Sequence, residues 1–294
     1  MIIKDELEHL TISEISEKCG LTDGEKKVFY ECISNRFCDY RNESEDDFSF
    51  LDRWKKIYDF SQEYSAAEAI NKYVCPKRKV NFCHPELLKI EIYPSFTGKI
   101  PILYVPDTDD FETLVTNVIY KGVHPEHLSQ TGVSFAFGKS TRFIILSSKP
   151  YSNIPASELG FDEDEWSRKS MVIRREHECT HYFTKLHFGI SGNCLHDELM
   201  ADFFGLYEAF GYYKAKHFLR FMGIISGSGG RLNFYLSDNG KNEKIYKAIS
   251  MTAELCAANL EKLSETQIFQ TMTRSQRTKH LCLSGIEKIC GGEI

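Results

Sequence analysis

The segment HECTHYF, residues 177–183, carries two histidines and a glutamate at a spacing suited to metal chemistry. Residues four apart on a helix are rotated by about 40° and separated by about 6 Å, so His177 and His181 would share one helix face and could grip one cation. Glu178 would lie beside them, poorly aligned as a ligand but close enough to accept a proton from water at the cation. A hydrolytic site of this kind needs a third protein ligand from elsewhere in the chain.

His187 is one candidate for the third ligand. It follows His177 by ten residues, the spacing of the metzincin pattern HExxHxxGxxH, in which a glycine lets the chain turn and brings the third histidine back to the metal. Thr184 occupies that glycine position here. In a continuing helix His187 would lie about 15 Å along the axis from His177, so the sequence disfavours this ligand.

Glu198 is the other candidate, in the segment HDELMADFFG, residues 196–205. Glu198 and Asp202 are four residues apart and would share one helix face, where Gly205 would permit close approach of a neighbouring helix. The apolar residues around them argue against a solvated acidic face. Residues 182–197 between His181 and Glu198 are enough for one helix to end at Gly189 and a second to return antiparallel.

The combined pattern HExxH and ExxxD resembles the gluzincin family of zinc peptidases, typified by thermolysin, over residues 165–210. The resemblance implies that one zinc ion is held by His177, His181 and Glu198, and that Glu178 is the general base. It also implies that Asp202 hydrogen-bonds the ligand His177 and that the reaction is hydrolysis of a peptide bond in a peptide or protein substrate.

The resemblance further implies a strand that pairs with the substrate and a group that stabilises the oxyanion. Either strand of a hairpin, residues 133–137 or 142–146, could pair with an extended substrate, because an edge strand offers free backbone groups. The oxyanion group is usually a tyrosine or a histidine. The candidates are Tyr235, Tyr246, His217 and Arg231, and the sequence does not choose among them.

A mixed α+β fold, mostly helical, is expected from the periodicity. Apolar positions recur at helix spacing through residues 3–74, and strands are predicted at 87–93, 100–105, 133–137 and 142–148. Helices are predicted at 107–122, 163–189, 196–210, 212–223, 241–263 and 264–290, with a glycine-rich loop at 226–240. We therefore expect a helical region at 1–78 and a zincin-like domain at 79–294. In that domain a small sheet would pack against the active-site helix pair, residues 163–210, before a helical C-terminal half.

The net charge, the first residues and the cysteines of the chain indicate which binding partners and which cellular compartment to expect. The formal net charge is −6, which offers no general attraction to nucleic acid or to anionic membranes. The first residues, MIIKDELEHL, lack the basic patch and apolar run of an export signal, so we expect a cytoplasmic protein that does not span a membrane. The 10 cysteines are expected to be reduced thiols. Cys75, Cys83 and His84 do not match the spacing of a structural zinc site.

Two rival functions remain open at the level of sequence, and no feature fixes the oligomeric state. One rival is a catalytically inactive metallopeptidase-like interaction module. The other is a DNA-binding regulator with a metalloprotein sensor domain, since residues 11–33 loosely resemble a helix-turn-helix. Residues 1–70 contain 9 Lys and Arg against 17 Asp and Glu, a net charge of −8, which favours a plain helical hairpin over a DNA-binding motif.

Overall fold

The helices and strands come from a computed structural model that describes residues 10–41, 48–138, 142–190, 194–225, 231–236 and 242–294. Within these residues the chain is mostly helical with one small sheet, in agreement with the α+β prediction. The helices are α1 (Ile12–Lys18), α2 (Asp23–Ile33), α3 (Phe50–Glu63), α4 (Ala66–Ala69), α5 (Thr108–Val118), α6 (Glu163–Phe188), α7 (Leu195–Phe210), α8 (Ala215–Phe221), α9 (Glu243–Ser264), α10 (Gln267–Thr271) and α11 (Arg274–Gly291). The strands are β1 (Lys89–Ser95), β2 (Gly98–Tyr104), β3 (Val133–Phe137) and β4 (Arg142–Leu146). Predictions for residues 3–9, for the hairpin turn 139–141 and for positions 226–230 and 237–241 lie outside the described residues.

The four strands form one mixed sheet in the order β1-β2-β4-β3. β1 pairs with β2 and β3 pairs with β4 in antiparallel fashion, whereas β2 and β4 are parallel. A parallel pair needs a crossover connection, and α5 lies in the chain between these two strands. The predicted hairpin is confirmed, and β3 is its edge strand because β4 lies between β3 and β2.

The chain divides into two compact units. One comprises Glu45–Cys179, and the other comprises Met1–Ser44 together with Thr180–Ile294. The second division point falls inside α6, which continues through it as one helix. The predicted boundary between residues 78 and 79 coincides with neither division point.

The unit of residues 45–179 is organised around the sheet. α3 packs against β1 and β2, and α5 packs against β4. The rings of Trp54 and Phe143 lie 5.0 Å apart between their centroids. The buried side chains of this core are Phe50, Trp54, Ile57, Ala69, Ile70, Cys75, Val80, Leu88, Ile90, Leu103, Val105, Phe111, Leu114, Val115, Leu128, Phe143 and Ile145.

The other unit is helical in its described residues. α1 and α2 each begin at a threonine capping box, and Gly20 in the turn between them has a left-handed backbone. The choice of a helical hairpin over a DNA-binding motif stays a prediction. α2 packs against α9 and α7 through its buried residues Phe29 and Ile33. The prediction that the region up to residue 74 is helical is wrong at residues 34–41, because Ser34 ends α2 with an extended backbone.

The predicted helix at 264–290 is two helices, α10 and α11. The side chain of Thr273 accepts a hydrogen bond from the backbone N–H of Gln276, which starts a new helix at this point. Among the described helices, none combines the length and the apolar character needed to cross a bilayer.

Candidate metal centre

The helix that carries the histidine motif forms where the sequence predicts it. Its first turn holds three acidic residues, and the carboxylate of Asp162 accepts the backbone N–H of Glu165 at 2.7 Å, so both charge and capping favour a start there. The helix runs for 26 residues and ends before Gly189, which adopts φ 71°. His177 and His181 therefore lie one turn apart on one continuous helix, as predicted.

The second helix, α7, is buried over most of its length. All residues from Leu195 to Leu206 are buried, including three carboxylates. A buried carboxylate is costly unless it has a partner, so Asp197, Glu198 and Asp202 each require one. Gly211 ends the helix in a left-handed conformation.

The structure brings together the three residues predicted as metal ligands. One nitrogen or oxygen atom from each of His177, His181 and Glu198 lies within 4.8 Å of the others. Their side chains are buried, with the whole residues 7%, 8% and 5% exposed. Among the residues that the structure describes, this is the group of histidine, cysteine and acidic side chains arranged to share one cation.

One distance within this group is compatible with two atoms that share a cation. Nε2 of His181 lies 3.6 Å from Oε1 of Glu198. Two ligand atoms that each lie about 2.1 Å from one ion in a tetrahedral site are about 3.4 Å apart, which is close to the observed distance. Two imidazoles and one carboxylate are also a donor set that catalytic zinc sites use, with one further position left open.

Asp197 lies beside the other ring nitrogen of His181. Nδ1 of the imidazole lies 2.9 Å from Oδ2 of this fully buried carboxylate. Such a carboxylate sets the tautomer and the orientation of a ligand histidine. Asp197 is not among the sequence-predicted site residues, and the signal that could have found it is its position in an apolar helix directly before Glu198.

Asp202 was predicted to hydrogen-bond His177. The contacts shown for its carboxylate are to Arg231, whose Nη1 lies 3.0 Å from Oδ2 and 3.3 Å from Oδ1. Nη2 of the same guanidinium lies 3.4 Å from Oε2 of Glu198. The contact between Asp202 and His177 stays a prediction, whereas the Nδ1 atom of His177 lies 3.4 Å from the hydroxyl oxygen of Tyr151.

The four residues that the sequence offers for the oxyanion group have different surroundings in the structure. Arg231 contacts the site carboxylates as described. His217 is half-buried and lies against the aromatic rings of Phe210 and Phe221. Tyr246 lies on α9, and the side chain of Tyr235 lies outside the described part of the structure.

The other histidines and cysteines that were weighed as ligands have other surroundings. Nδ1 of His187 lies 2.9 Å from the carbonyl oxygen of Arg41, and its ring stacks on Tyr40. His196 is buried, with Nε2 3.0 Å from the carbonyl oxygen of Leu281, and burial lowers the pKa of this imidazole to about 4. All ten cysteines are free thiols; Cys75 is buried and Cys83 is exposed.

The described chain is thus a mostly helical α+β protein with a buried cluster of two histidines and a glutamate. It belongs to a family described as "Family of unknown function (DUF7005)", whose model matches residues 48–136 and 139–291. The second matched segment contains the entire cluster, together with Asp197 and Arg231. The comparisons with curated proteins and with solved structures gave no match.

Proposed function

We propose that this protein is a zinc-dependent metallopeptidase. The observation that carries the proposal is the buried cluster of His177, His181 and Glu198, with Glu178 next to the first histidine. A bound zinc ion would supply Lewis-acid activation of water and of a substrate carbonyl. The remaining functions fall to side chains of the protein.

Glu178 is the proposed general base. It is buried and follows His177 directly on α6, so its carboxylate can accept a proton from the attacking water and deliver it to the leaving amine. A positioned carboxylate of this kind contributes about 10²–10⁴-fold to the rate.

Glu198 divides its two carboxylate oxygens between two partners. Oε1 of Glu198 lies 3.6 Å from Nε2 of His181, and Oε2 lies 3.4 Å from Nη2 of Arg231. The guanidinium thereby fixes the rotation of the carboxylate and leaves Oε1 on the side of the imidazole. It also balances part of the negative charge that Glu198 and Asp202 place in a buried region.

Strand β3 is the proposed site of substrate pairing. It is the edge strand of the sheet, and its residues are half-buried or exposed, whereas all five residues of β4 are buried. An extended peptide could add to this edge by backbone hydrogen bonds, which would make recognition depend weakly on the substrate side chains.

The proposal is tested by cleavage of a mixed peptide library with the zinc-loaded full chain. Glu178→Gln should retain zinc and lose cleavage by at least about 100-fold, since the amide cannot accept the proton. Glu163→Gln is the matched control because it makes the same change at an exposed position on the same helix, and it should cleave as the wild type does.

Three results would count against the proposal. Cleavage that survives Glu178→Gln would remove this residue from the role of base. Stoichiometric zinc without cleavage by the wild type would favour the inactive interaction module instead, and salt-dependent retention on duplex DNA would favour the regulator.

A further inference from the structure

We propose that Tyr151 is a positioning residue for His177, a role that rests on the metal site proposed above. The hydroxyl oxygen of Tyr151 lies 3.4 Å from Nδ1 of His177, and both residues are buried. A nitrogen that binds a metal carries no proton, so when Nε2 of His177 faces the cation, Nδ1 carries the proton and donates it to the phenol oxygen. This contact would fix both the tautomer and the ring orientation of the histidine.

One face of α6 holds the segment that carries Tyr151. Trp166, Ser170, Arg174 and His177 follow one another at spacings of four, four and three residues, which places them within an arc of about 80° on the helix. Each of these four side chains contacts the segment of residues 149–154.

The first three contacts of this face are hydrogen bonds to the backbone. The indole N–H of Trp166 donates to the carbonyl oxygen of Ile154 at 2.7 Å. The hydroxyl of Ser170 accepts the backbone N–H of Tyr151 at 3.0 Å. Arg174 donates to the carbonyl oxygens of Lys149 and Pro150. The segment is therefore anchored on both sides of the tyrosine.

Arg174 packs between the ring of Tyr151 and the backbone of Gly132. Its guanidinium lies 5.6 Å from the centre of the Tyr151 ring. It also fills the space beside Gly132, where an added Cβ would come within 2.4 Å of the Arg174 Cζ atom. Arg174 can hold the backbone before Tyr151 only because position 132 has no side chain.

The backbone after Tyr151 adopts an unusual conformation. Ser152 and Asn153 have φ values of 54° and 57°, in the left-handed region that residues other than glycine rarely adopt. Two consecutive residues of this kind persist only where the surrounding structure imposes them. In this turn the backbone N–H of Asn153 donates to the carbonyl oxygen of Pro150 at 3.0 Å, and that of Ile154 donates to the carbonyl oxygen of Tyr151 at 3.2 Å.

The groups beside the Nδ1 atoms of the two proposed ligand histidines would then differ in strength as hydrogen-bond acceptors. Asp197 offers His181 a charged carboxylate at 2.9 Å, whereas Tyr151 offers His177 a neutral phenol at a longer distance. A neutral acceptor at 3.4 Å makes the weaker hydrogen bond. We therefore expect removal of the phenol to lower metal affinity by about 10-fold, at the low end of the range for residues that support metal ligands.

The test compares zinc binding by the full-length wild type, Tyr151→Phe and Tyr120→Phe. Tyr151→Phe keeps the ring and its contact with Arg174 and removes only the hydroxyl. Tyr120→Phe is the matched control, because its hydroxyl lies 3.5 Å from Nε2 of His127 at an exposed position. Zinc affinity is measured by competition with a chelator, and ligand geometry is followed by the visible absorption spectrum of the Co²⁺-loaded protein.

Tyr151→Phe should bind zinc about 10-fold more weakly than the wild type and change the Co²⁺ spectrum, and Tyr120→Phe should do neither. Equal affinity and equal spectra for Tyr151→Phe and wild type would overturn the role of Tyr151 alone. A wild type that binds no zinc would overturn the metal site as well, so the two failures are distinct. Imidazole ¹⁵N spectra of the zinc-loaded wild type give a test without any variant. They should show a proton on Nδ1 of His177, and metal on that nitrogen would overturn the inference.

Discussion

Nδ1 of His181 lies 2.9 Å from Oδ2 of Asp197, whose carboxylate is fully buried directly before Glu198 on α7. Two adjacent residues of α7 thus have different proposed roles. Glu198 would bind the ion, and Asp197 lies beside the ring nitrogen of His181 that would face away from the ion. At this distance the carboxylate is placed to orient the imidazole of His181.

Asp197→Asn should weaken zinc binding by about 10- to 100-fold, because a neutral amide holds the imidazole less strongly than a carboxylate does. The substitution conserves volume, so the effect should be on affinity more than on folding. Chelator competition at constant pH measures it, with the exposed Asp23→Asn as control. Equal affinities for Asp197→Asn and wild type would show that Asp197 does not support the ligand.

Arg231→Gln should destabilise the metal-free protein and increase the stabilisation that zinc provides. The guanidinium contacts both Glu198 and Asp202, so its loss leaves two buried carboxylates close together. We expect a loss of about 2 kcal/mol in the free energy of unfolding, less than for a fully buried pair because the Arg231 side chain is 20% exposed.

Urea unfolding of wild type, Arg231→Gln and Arg231→Lys, each with a chelator and with zinc, measures both effects. Arg231→Lys keeps the charge and should fall between the other two proteins. An Arg231→Gln protein with unchanged stability, or with a smaller gain from zinc than wild type, would contradict the assigned role.

His196 should make the protein less stable in acid. Burial lowers the pKa of its imidazole to about 4, below the ordinary value of 6.5. Well above the ordinary pKa the histidine is neutral in both the folded and the unfolded state. As the pH falls from 6.5 to 4, the unfolded chain takes up a proton that the folded protein excludes, so stability is lost. Each pKa unit corresponds to about 1.4 kcal/mol, so the loss is on the order of 3 kcal/mol.

His196→Gln isolates this contribution, since the amide can still donate to the carbonyl oxygen of Leu281 but does not titrate in this range. The difference in unfolding free energy between wild type and variant should change across pH 6.5 to 4. A difference that is constant over this range would rule out the proposed cause.

The sequence predicted the elements whose signals are local. The bounds of α6 follow from its acidic first turn and from Gly189, and β3 follows from its own residues. The grouping of the three ligand side chains follows from two helical spacings and the length of the connection between them. Asp197 was missed because the spacing rule favoured Asp202, on the same face as Glu198, whereas a helix buried on all sides can present carboxylates in several directions.

Tyr151 and Arg231 were harder to place from sequence. Both lie in irregular or short 3₁₀ segments without a hydrophobic period, and each reaches its partner from more than 25 positions away in the chain. Arg231 is one of four sequence candidates for the oxyanion group, and no sequence pattern singles out Tyr151. Contacts of this kind depend on how the chain returns to α6 and α7, which no local pattern encodes.

Gly132→Ala should lower stability by about 1–3 kcal/mol, because the added methyl group would overlap the Arg174 guanidinium. The backbone of Gly132 is not in the left-handed region, so the effect would come from this overlap. Gly24→Ala is the matched control, since an added Cβ there meets nothing within 4 Å. The loss of stability is measured by thermal unfolding of the two single variants and of a double variant that combines Gly132→Ala with Arg174→Ala. A penalty that persists without Arg174 would contradict this reason.

The most direct measurement is the anomalous scattering of zinc-loaded crystals of the full chain at the zinc absorption edge, with His177→Ala and Glu198→Ala as comparisons. We predict one strong peak in the wild type, bonded to nitrogens of His177 and His181 and to a carboxylate oxygen of Glu198, and a weakened or absent peak in both variants. A wild-type crystal with no peak among these three residues, or with a peak that both substitutions leave unchanged, would contradict the account.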